Sequence, residues 1–469
     1  MKIESIDIDK TINEARRMLE NETNLSGPIK AMFQVLILLV SILINRLKLN
    51  SSNSSKPPSM DPNRKRKTKN TGDKKRGAQN GHAGNRLKKV ENPDKIEVLK
   101  VNKKTLPKGK YKEIGFECRQ VVDIEIKKIV TEYRAQILEN EKGKRFVGSF
   151  PQEVTSDVQY GNGIKAHSVY MSQFQLLPYN RIQDYFSEQM NIPISVGSIY
   201  NFNQEAYDLL KTFDEVAKKR LIKSSVINAD ETGINIDGKR RWLHSASNPL
   251  WTYFYPHVKR GSDAMDEIGI IPNFSGILCH DHWKSYYNYN CLHALCNAHH
   301  IRELERAIDD NQNWAKEMQD FLIKANKEVI NAEGILSKKA VEASRKKYKL
   351  ILEKANIECP APTKIAGKRG RTKKSKARNL LERLIDYEDD VLRFMENTEV
   401  PFTNNLGEND LRMTKVQQKI SGCFRSLEGA YIFCRLRSYL STCRKQGIKI
   451  TDGLKMLFDG KLPDFINDP

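Results

Sequence analysis

Apolar residues Phe33, Leu36, Val40, Leu43 and Leu47 recur at alternating steps of three and four. That seam predicts a helix of a short coiled coil, or equally one packed on its own domain. The pattern stops at "NSSNSSKPPSMDPNRKRKTKNTGDKKRGAQNGHAGNRLKK", which holds too few apolar residues to bury a core and predicts a flexible tether. Residues 96–135 alternate apolar with polar positions, clearest in "RQVVDIEIKKIVTEYRAQIL", and predict strands of a small β-rich module. From 175 to 206 the chain predicts two helices about a short turn. Ile182, Tyr185 and Phe186 mark the buried side of the first, Ile192-Pro193 the turn, and Ser195 the cap of a second helix carrying Ile199 and Phe202. That spacing fits a helix-turn-helix, and an ordinary helical hairpin shares it.

The period changes at residue 224. "SSVINAD" reads as a buried strand, "TGINID" and "RRWLHSASNP" as a hairpin around a tight Asp-Gly turn, and "LWTYFYPHV" as a third strand. A helix around "GSDAMDEIGII" leads to "FSGILCHDHW", another apolar strand closing on a carboxylate. Three strands, a helix and a fourth strand are the opening of a ribonuclease-H-like mixed sheet. "NCLHALCNAHHIRELERAI" then predicts a helix, and residues 310–395 a charged helical insertion with the basic break "KIAGKRGRTKKSKAR". "TNNLGENDLRMTKVQQKISG" predicts a helix with an asparagine cap and a glycine stop, and "SLEGAYIFCRLRSYLSTCRKQG" a last long helix packed by its apolar stripe.

The expected fold is multidomain α+β: an α/β ribonuclease-H-like core, its mixed sheet flanked by helices and interrupted by a helical insertion, behind coiled-coil and helix-turn-helix segments. The expected boundaries are N-terminal helices over 1–50, a basic linker over 51–95 and the β-rich module over 96–150. The helix-turn-helix region follows over 151–215, core over 216–309, insertion over 310–395, core again over 396–446, and a C-terminal tail over 447–469.

Charge narrows the partner. With 79 Lys plus Arg against 58 Asp plus Glu, the 469-residue chain carries a formal net charge of +21, which favours a polyanion and nucleic acid foremost over a merely basic soluble protein. Between Lys56 and Lys89 twelve Lys or Arg face two Asp. This stretch lies along phosphates or serves as a solvated linker. Eight cysteines (Cys118, Cys279, Cys291, Cys296, Cys359, Cys423, Cys434 and Cys443) form no C-x-x-C pair. They indicate neither a disulfide framework nor a zinc ribbon, and fit a reducing cytosol. The start "MKIESIDIDK" lacks the regions of a secretory signal. "MFQVLILLVSILI" is roughly seven residues short of a spanning helix, so no membrane is expected.

The chemistry-bearing candidates are carboxylates. Asp230 and Asp281 end two strands, which sets them side by side if the strands are neighbours, and Glu408 lies in the first turn of a later helix. Glu231 has the wrong parity: Val226, Asn228 and Asp230 share one strand face and Glu231 the other. Three carboxylates together raise each other's pKa unless cations intervene. Two divalent ions about 3.5–4 Å apart relieve that and activate an attacking oxygen in phosphodiester cleavage. Magnesium suits the all-oxygen ligand set. Glu408, Arg412, Lys415 and Lys419 fall on one helix face, a path for a DNA backbone beside the metals. Taken alone, capping and salt-bridge roles explain most such acids.

The ordered blocks "NSSNSSKPPS", "GAQNGHAG", "RQVVDIE", "VQYGNGIKAHSVYMSQFQLLPYNRI", "NADETG", "HDHWKSY", "HALCNAHHIREL", "TNNLGENDLR" and "SGCFRS" span nearly the whole chain. By them the chain resembles transposases of the insertion sequence 66 family, the large DDE protein of those bacterial elements. The resemblance implies a ribonuclease-H-like domain split by a helical insertion, with Asp230, Asp281 and Glu408 as catalytic and metal-binding triad. It also implies two magnesium ions, with manganese as a substitute, and cleavage at element ends followed by transfer of the 3' hydroxyl into target DNA. The implied partners are double-stranded DNA (terminal inverted repeats and target), a second copy of the chain, and accessory proteins of the same element. The implied location is the cytoplasm of a bacterium, at the nucleoid. Family members usually carry a zinc module with paired cysteines after the basic linker; here Cys118 alone remains, so the module is expected to fold without metal or to be reduced, and zinc is not an expected cofactor of the chain.

The remaining DNA-binding candidates are Arg181, Ser195, Ser198, Tyr200, Trp283, Lys284, His299, His300 and Arg425, beside Arg412, Lys415 and Lys419. His299 or His300 meets DNA, supports Asp281, or is purely structural. Trp283 stacks on a splayed base or packs in the core. A non-catalytic DNA-binding repressor derived from a transposase, and a nuclease that cuts without joining, are the competing functions.

Overall fold

The computed structural model describes residues 2–3, 6–22, 25–54, 61, 87–362 and 372–467. Most of the predicted basic linker and the middle of the "KIAGKRGRTKKSKAR" break lie outside the described residues. The chain divides into two units, residues 66–132 and residues 1–65 with 133–469.

In the smaller unit, Gln120 bridges the backbone of Val90, accepting from its N–H at 2.8 Å and donating to its carbonyl at 2.7 Å. The described residues form no strand there, and Ile114, Val121, Ile129 and Val130 are exposed. This corrects the strands predicted over 96–135; within the β-rich module expected over 96–150, the described strands are Ile137–Glu139 and Arg145–Val147. Alternation specifies a strand only where a partner edge and a core receive the apolar face, and a short segment has too little apolar surface to make its own.

The larger unit opens with the two-residue strands β1 (Lys2–Ile3) and β2 (Ile6–Asp7) and the helices α1 (Ile8–Asn21) and α2 (Gly27–Lys48). Phe33, Leu36, Val40 and Leu43 of the predicted seam stay 38–58% exposed on α2. Residues Gly27–Ile44 are long and apolar enough by composition to cross a membrane, with mean hydropathy 2.1, a longer run than the sequence reading allowed. A hairpin of β3 (Ile137–Glu139) and β4 (Arg145–Val147) precedes α3 (Asn162–Val169), α4 (Tyr179–Met190), α5 (Val196–Leu209) and α6 (Lys211–Ile222). Asn191, at φ 50°, stops α4 in the left-handed region, and the Ser195 hydroxyl accepts from the Ser198 N–H at 2.9 Å to cap α5. Ile182, Phe186 and Ile199 are buried as their spacing predicts.

The central sheet follows: β5 (Val226–Ile236), β6 (Lys239–Ser247), β7 (Thr252–His257), then α7 (Ser262–Ile268), β8 (Ile277–His280) and β9 (Leu292–Leu295). Its order is β7-β6-β5-β8-β9, with β5, β6 and β7 an antiparallel meander and β8 and β9 parallel to β5. Asp237 (φ 50°) and Gly238 (φ 70°) make the tight β5–β6 turn, a backbone that Asp-Gly adopts at low cost. The helix predicted over residues 290–308 starts later, since Leu292–Leu295 is β9. Four residues, Leu-His-Ala-Leu, do not separate strand from helix by period, and here the open edge of β8 decides.

Beyond it come α8 (Asn297–Asp309), then α9 (Asn313–Asn331), α10 (Lys338–Glu358), α11 (Lys376–Asp386) and α12 (Glu388–Leu392) in the insertion, and α13 (Asn405–Ser421), α14 (Leu427–Lys445), α15 (Ile450–Phe458) and α16 (Asp464–Asn467). The sheet takes part in three buried clusters, two of them on opposite faces. Ile227, Ala229 and Leu278 face α3–α6, α14 and α15, while Val226, Ile277 and Cys279 face α8 and the insertion. The third is built from Ile234, Ile236, Leu243 and Phe254 with Leu411 of α13 and Phe433 of α14. The tail predicted over 447–469 is instead the packed helix α15, whose Ile450, Leu454, Leu457 and Phe458 enter the first core. Edge strand β7 is covered by α14: Ser438 Oγ accepts from the Phe254 N–H at 2.8 Å and Thr442 Oγ1 from the Thr252 N–H at 3.1 Å.

Gly276 lets β8 enter the sheet. A Cβ there would lie 2.4 Å from the Ser225 carbonyl oxygen and 2.8 Å from that of Ser224. Gly276→Ala should therefore lower the unfolding free energy by about 2 kcal/mol or more, measured by urea denaturation; an unchanged midpoint would remove this packing constraint.

Candidate active site

Val226, Ile227 and Asn228 pair with Ile277, Leu278 and Cys279, so the same register carried two residues further sets Asp230 beside Asp281. The alternation of β5 turns Asp230 to the face covered by α8 and α13 and Glu231 to the opposite face. Burial pushes the Asp230 carboxyl well above its ordinary range, and the charges of Glu231, Asp281 and, more weakly, Glu408 add to the rise. The Glu231 N–H, donating to Asp230 Oδ1 at 2.8 Å, offsets part of it. The three acids named from the sequence thus share one electrostatic neighbourhood.

Glu408 reaches it because α13 is strapped along β5. At the start of the helix, Asn404 donates from Nδ2 to the Ala229 carbonyl at 2.9 Å and accepts from Asn228 Nδ2 at 2.7 Å. Midway, Lys415 Nζ donates to the Gly233 carbonyl at 2.9 Å. Past its end, the Phe424 N–H donates to the Asn235 carbonyl and the Asp237 N–H to the Phe424 carbonyl, both at 2.9 Å. The predicted asparagine cap is corrected in one respect: Asn404 holds the cap position, but its side chain bonds β5 instead of its own helix. Gly407 leaves the room, since a Cβ there would lie 3.2 Å from Asn404 Oδ1. Glu408 Oε1 faces α8, 3.8 Å from His299 Nδ1 and 3.6 Å from an Arg302 guanidinium nitrogen.

The turn after Asp281 is fixed from several sides. His282 takes a left-handed φ of 71° and the Trp283 N–H donates to Asp281 Oδ1 at 3.1 Å. His280 Nδ1 accepts from the His282 N–H at 3.1 Å, so its Nε2 carries the proton toward His293 Nδ1, also at 3.1 Å. Burial holds His280 well below the ordinary histidine range, so it stays neutral. On the far face of β5, Glu231 has no exposed side-chain surface and accepts from Tyr286 Oη at 2.6 Å and Arg260 Nε at 2.8 Å. Arg260 stacks on Trp283, its guanidinium carbon 3.7 Å from the ring centre. Glu231 therefore anchors the loop that carries Asp281.

The other candidates divide. Arg181, Lys284, Arg412, Lys419 and Arg425 are exposed. Ser195 and Ser198 are joined in the α5 cap, and Tyr200 bonds Glu428. The α5 helix carries no Lys or Arg. Two expectations are corrected. His300, 1% exposed with Nδ1 3.0 Å from Asn297 Oδ1, cannot meet DNA, because its step along α8 points it into the core. Trp283 is half-buried under Arg260, so base stacking gives way to anchoring. The sequence reading missed Asn228, Asn404 and Arg260. A polar residue two before Asp230, on the same face of an apolar strand, was the available signal for the first.

Two outcomes test this geometry. Asp230 binds its proton more tightly folded than unfolded. Its stabilising contribution is thus full below about pH 4, the unfolded aspartate value, and is lost as pH rises through the raised folded value. Urea unfolding of metal-free protein should show Asp230→Asn more stable than the natural chain by about 1–3 kcal/mol at pH 8 and equal to it near pH 4. Asn404→Ala strands the Asn228 amide and the Ala229 carbonyl and should lower stability by about 2–3 kcal/mol; a neutral effect would show that the strap is not needed.

The model of the family described as "Transposase IS66 family" matches residues 157–432, more than half of the chain and all the residues of this site. A second family model, described as a family of unknown function (DUF6444), matches residues 7–88. A protein of Sinorhizobium fredii (strain NBRC 101917 / NGR234), described as "Uncharacterized protein y4jO", is 35% identical over 69 residues, which are 15% of this chain and 22% of that protein. By the extent of the first match, this chain belongs to the transposase IS66 family.

Proposed function

We propose that the chain is a DDE transposase that binds the terminal inverted repeats of a bacterial insertion sequence, cleaves the ends and joins them to target DNA, with Asp230, Asp281 and Glu408 as its catalytic acids. The observation that carries this reading is the convergence of three acids on one raised carboxyl: Asp230 from the middle of β5, which runs on to Ile236 and does not end at Asp230 as expected, Asp281 from the end of the paired β8, and Glu408 from a helix start. The order β7-β6-β5-β8-β9, with a meander on one side and parallel strands on the other, supports a ribonuclease-H-like core. The donor set is all oxygen, and a divalent cation offsets the repulsion that lifts Asp230, so Asp230, Asp281 and Glu408 fit magnesium, or manganese in its place. Bound there, a pair of such ions supplies an activated attacking oxygen and charge balance on the leaving one.

The protein's own groups provide position. Asn404 and Lys415 fix Glu408 against β5, and Glu231 with Arg260 fixes the Asp281 loop. Exposed Arg412, Lys419 and Arg425 offer a basic path for the DNA backbone. In the first step water attacks the phosphodiester at the element end and the bond from phosphorus to the 3' oxygen breaks, freeing a 3' hydroxyl. That hydroxyl then attacks a target phosphodiester and displaces a target 3' oxygen, so one bond forms as one breaks. The α4–α5 hairpin contributes Arg181 to DNA, while the basic linker before the core and the basic break within the insertion supply salt-dependent affinity. The exposed α2 seam joins two copies across paired ends.

Purified protein with magnesium should nick and join DNA carrying the terminal repeats. Asp230→Asn, Asp281→Asn and Glu408→Gln should each reduce both products to background while the same DNA is still bound. Full activity in Asp230→Asn would overturn the assignment, and cut DNA without joined product would make the protein a nuclease.

A further inference from the structure

Beside the three proposed catalytic acids lies a second ligand set of different chemistry. Cys296, His299 and Glu408 offer a sulfur, a ring nitrogen and a carboxylate oxygen that all lie within 4.8 Å of one another. Cys296 is the N-cap of α8 and His299 follows one turn later, so both face the start of α13. The two elements are tied there: the Asn404 N–H donates to Cys296 Sγ at 3.1 Å and the Asn297 N–H to the Phe402 carbonyl at 3.1 Å. His299 Nδ1 and Glu408 Oε1, 3.8 Å apart, are both shut off from solvent, and neither atom has a hydrogen-bond partner among the described residues. Two orphaned buried acceptors aimed at one point, next to a sulfur that already receives a backbone N–H, describe the interior of a cation site.

We propose that Cys296, His299 and Glu408 bind a single zinc ion, a site separate from the hard-cation position at Asp230 and Asp281. Sulfur and imidazole select a borderline-soft ion over magnesium, and three protein ligands leave a fourth position for water. Deprotonated Cys296 and Glu408 balance the ion's two charges, with His299 neutral. Arg302, now 3.6 Å from Glu408 Oε1, is the group displaced. It lines, with His299, Arg306 and Lys376, a cavity of about 300 Å³ that gives both the ion and the displaced side chain a route. Because Glu408 belongs to both sets, zinc here withdraws it from the catalytic position; this consequence, unlike the site itself, rests on the transposase reading.

The full-length protein is dialysed against zinc in the presence of excess magnesium and its metal content measured. One zinc per chain is expected. Cys296→Ser and His299→Ala should each weaken zinc binding by more than about 100-fold, the upper end of what losing even an outer-sphere partner costs. Cys118→Ser and Asp230→Asn should retain it. Cobalt in place of zinc should give a thiolate-to-metal charge-transfer band that Cys296→Ser abolishes, and this needs no variant to establish in the natural chain. Absence of bound zinc, or a cobalt band that survives in Cys296→Ser, would overturn the proposal. Failure of the transposase reading would show separately, as zinc-free protein that does not cut DNA with magnesium.

Discussion

The geometry of the site depends on one buried amide. Asn404 joins the start of α13 to the Ala229 carbonyl and the Asn228 side chain, one and two residues before Asp230, across a separation of more than 170 positions in sequence. A backbone carbonyl in a buried strand needs a partner, and the amide that satisfies it brings Glu408 with it. Packing alone would leave the helix free to slide along the sheet. Hydrogen bonds at its start, its middle and beyond its end fix its register against β5.

Around that register the charges are arranged with a purpose visible in their imbalance. Glu231 is neutralised locally by Arg260 and by the hydroxyl of Tyr286, so it serves as an anchor. Among the described residues the Asp230 carboxylate accepts its neighbour's N–H, and it meets like charge from its surroundings. Two adjacent carboxylates therefore take opposite roles because a strand turns them to opposite faces, one toward a cation side chain and one toward other acids. The neutral His280–His293 pair behind the Asp281 turn adds rigidity without adding charge.

Much of this was legible in the sequence. The period-two runs located β5 to β8, the Asp-Gly pair marked their hairpin, and strand parity separated Asp230 from Glu231 before any coordinates. What stayed hidden were contacts between distant segments. Nothing local to Asn404 tells a helix cap from a clamp on a strand 175 residues away, and no spacing connects Arg260 to Glu231. Errors arose where a pattern had no partner to complete it. The alternating residues after 96 have no sheet to join, while Leu292–Leu295 found the free edge of β8 and became a strand.

The backbone bond between Asn297 and Phe402 joins the two core segments that flank the helical insertion. That bond has company: the Asn297 side-chain amide donates to the Val391 carbonyl at 3.0 Å, Arg393 Nε donates to the His293 carbonyl at 2.7 Å, and the inner face of the insertion packs on Val226, Ile277 and Cys279 of the sheet. Lengthening or shortening the turns on the outer side of the insertion, away from that packed face, need not alter the spacing of the acids beneath. Those turns are thus where related elements are freest to diverge in size and partner while keeping the same chemistry.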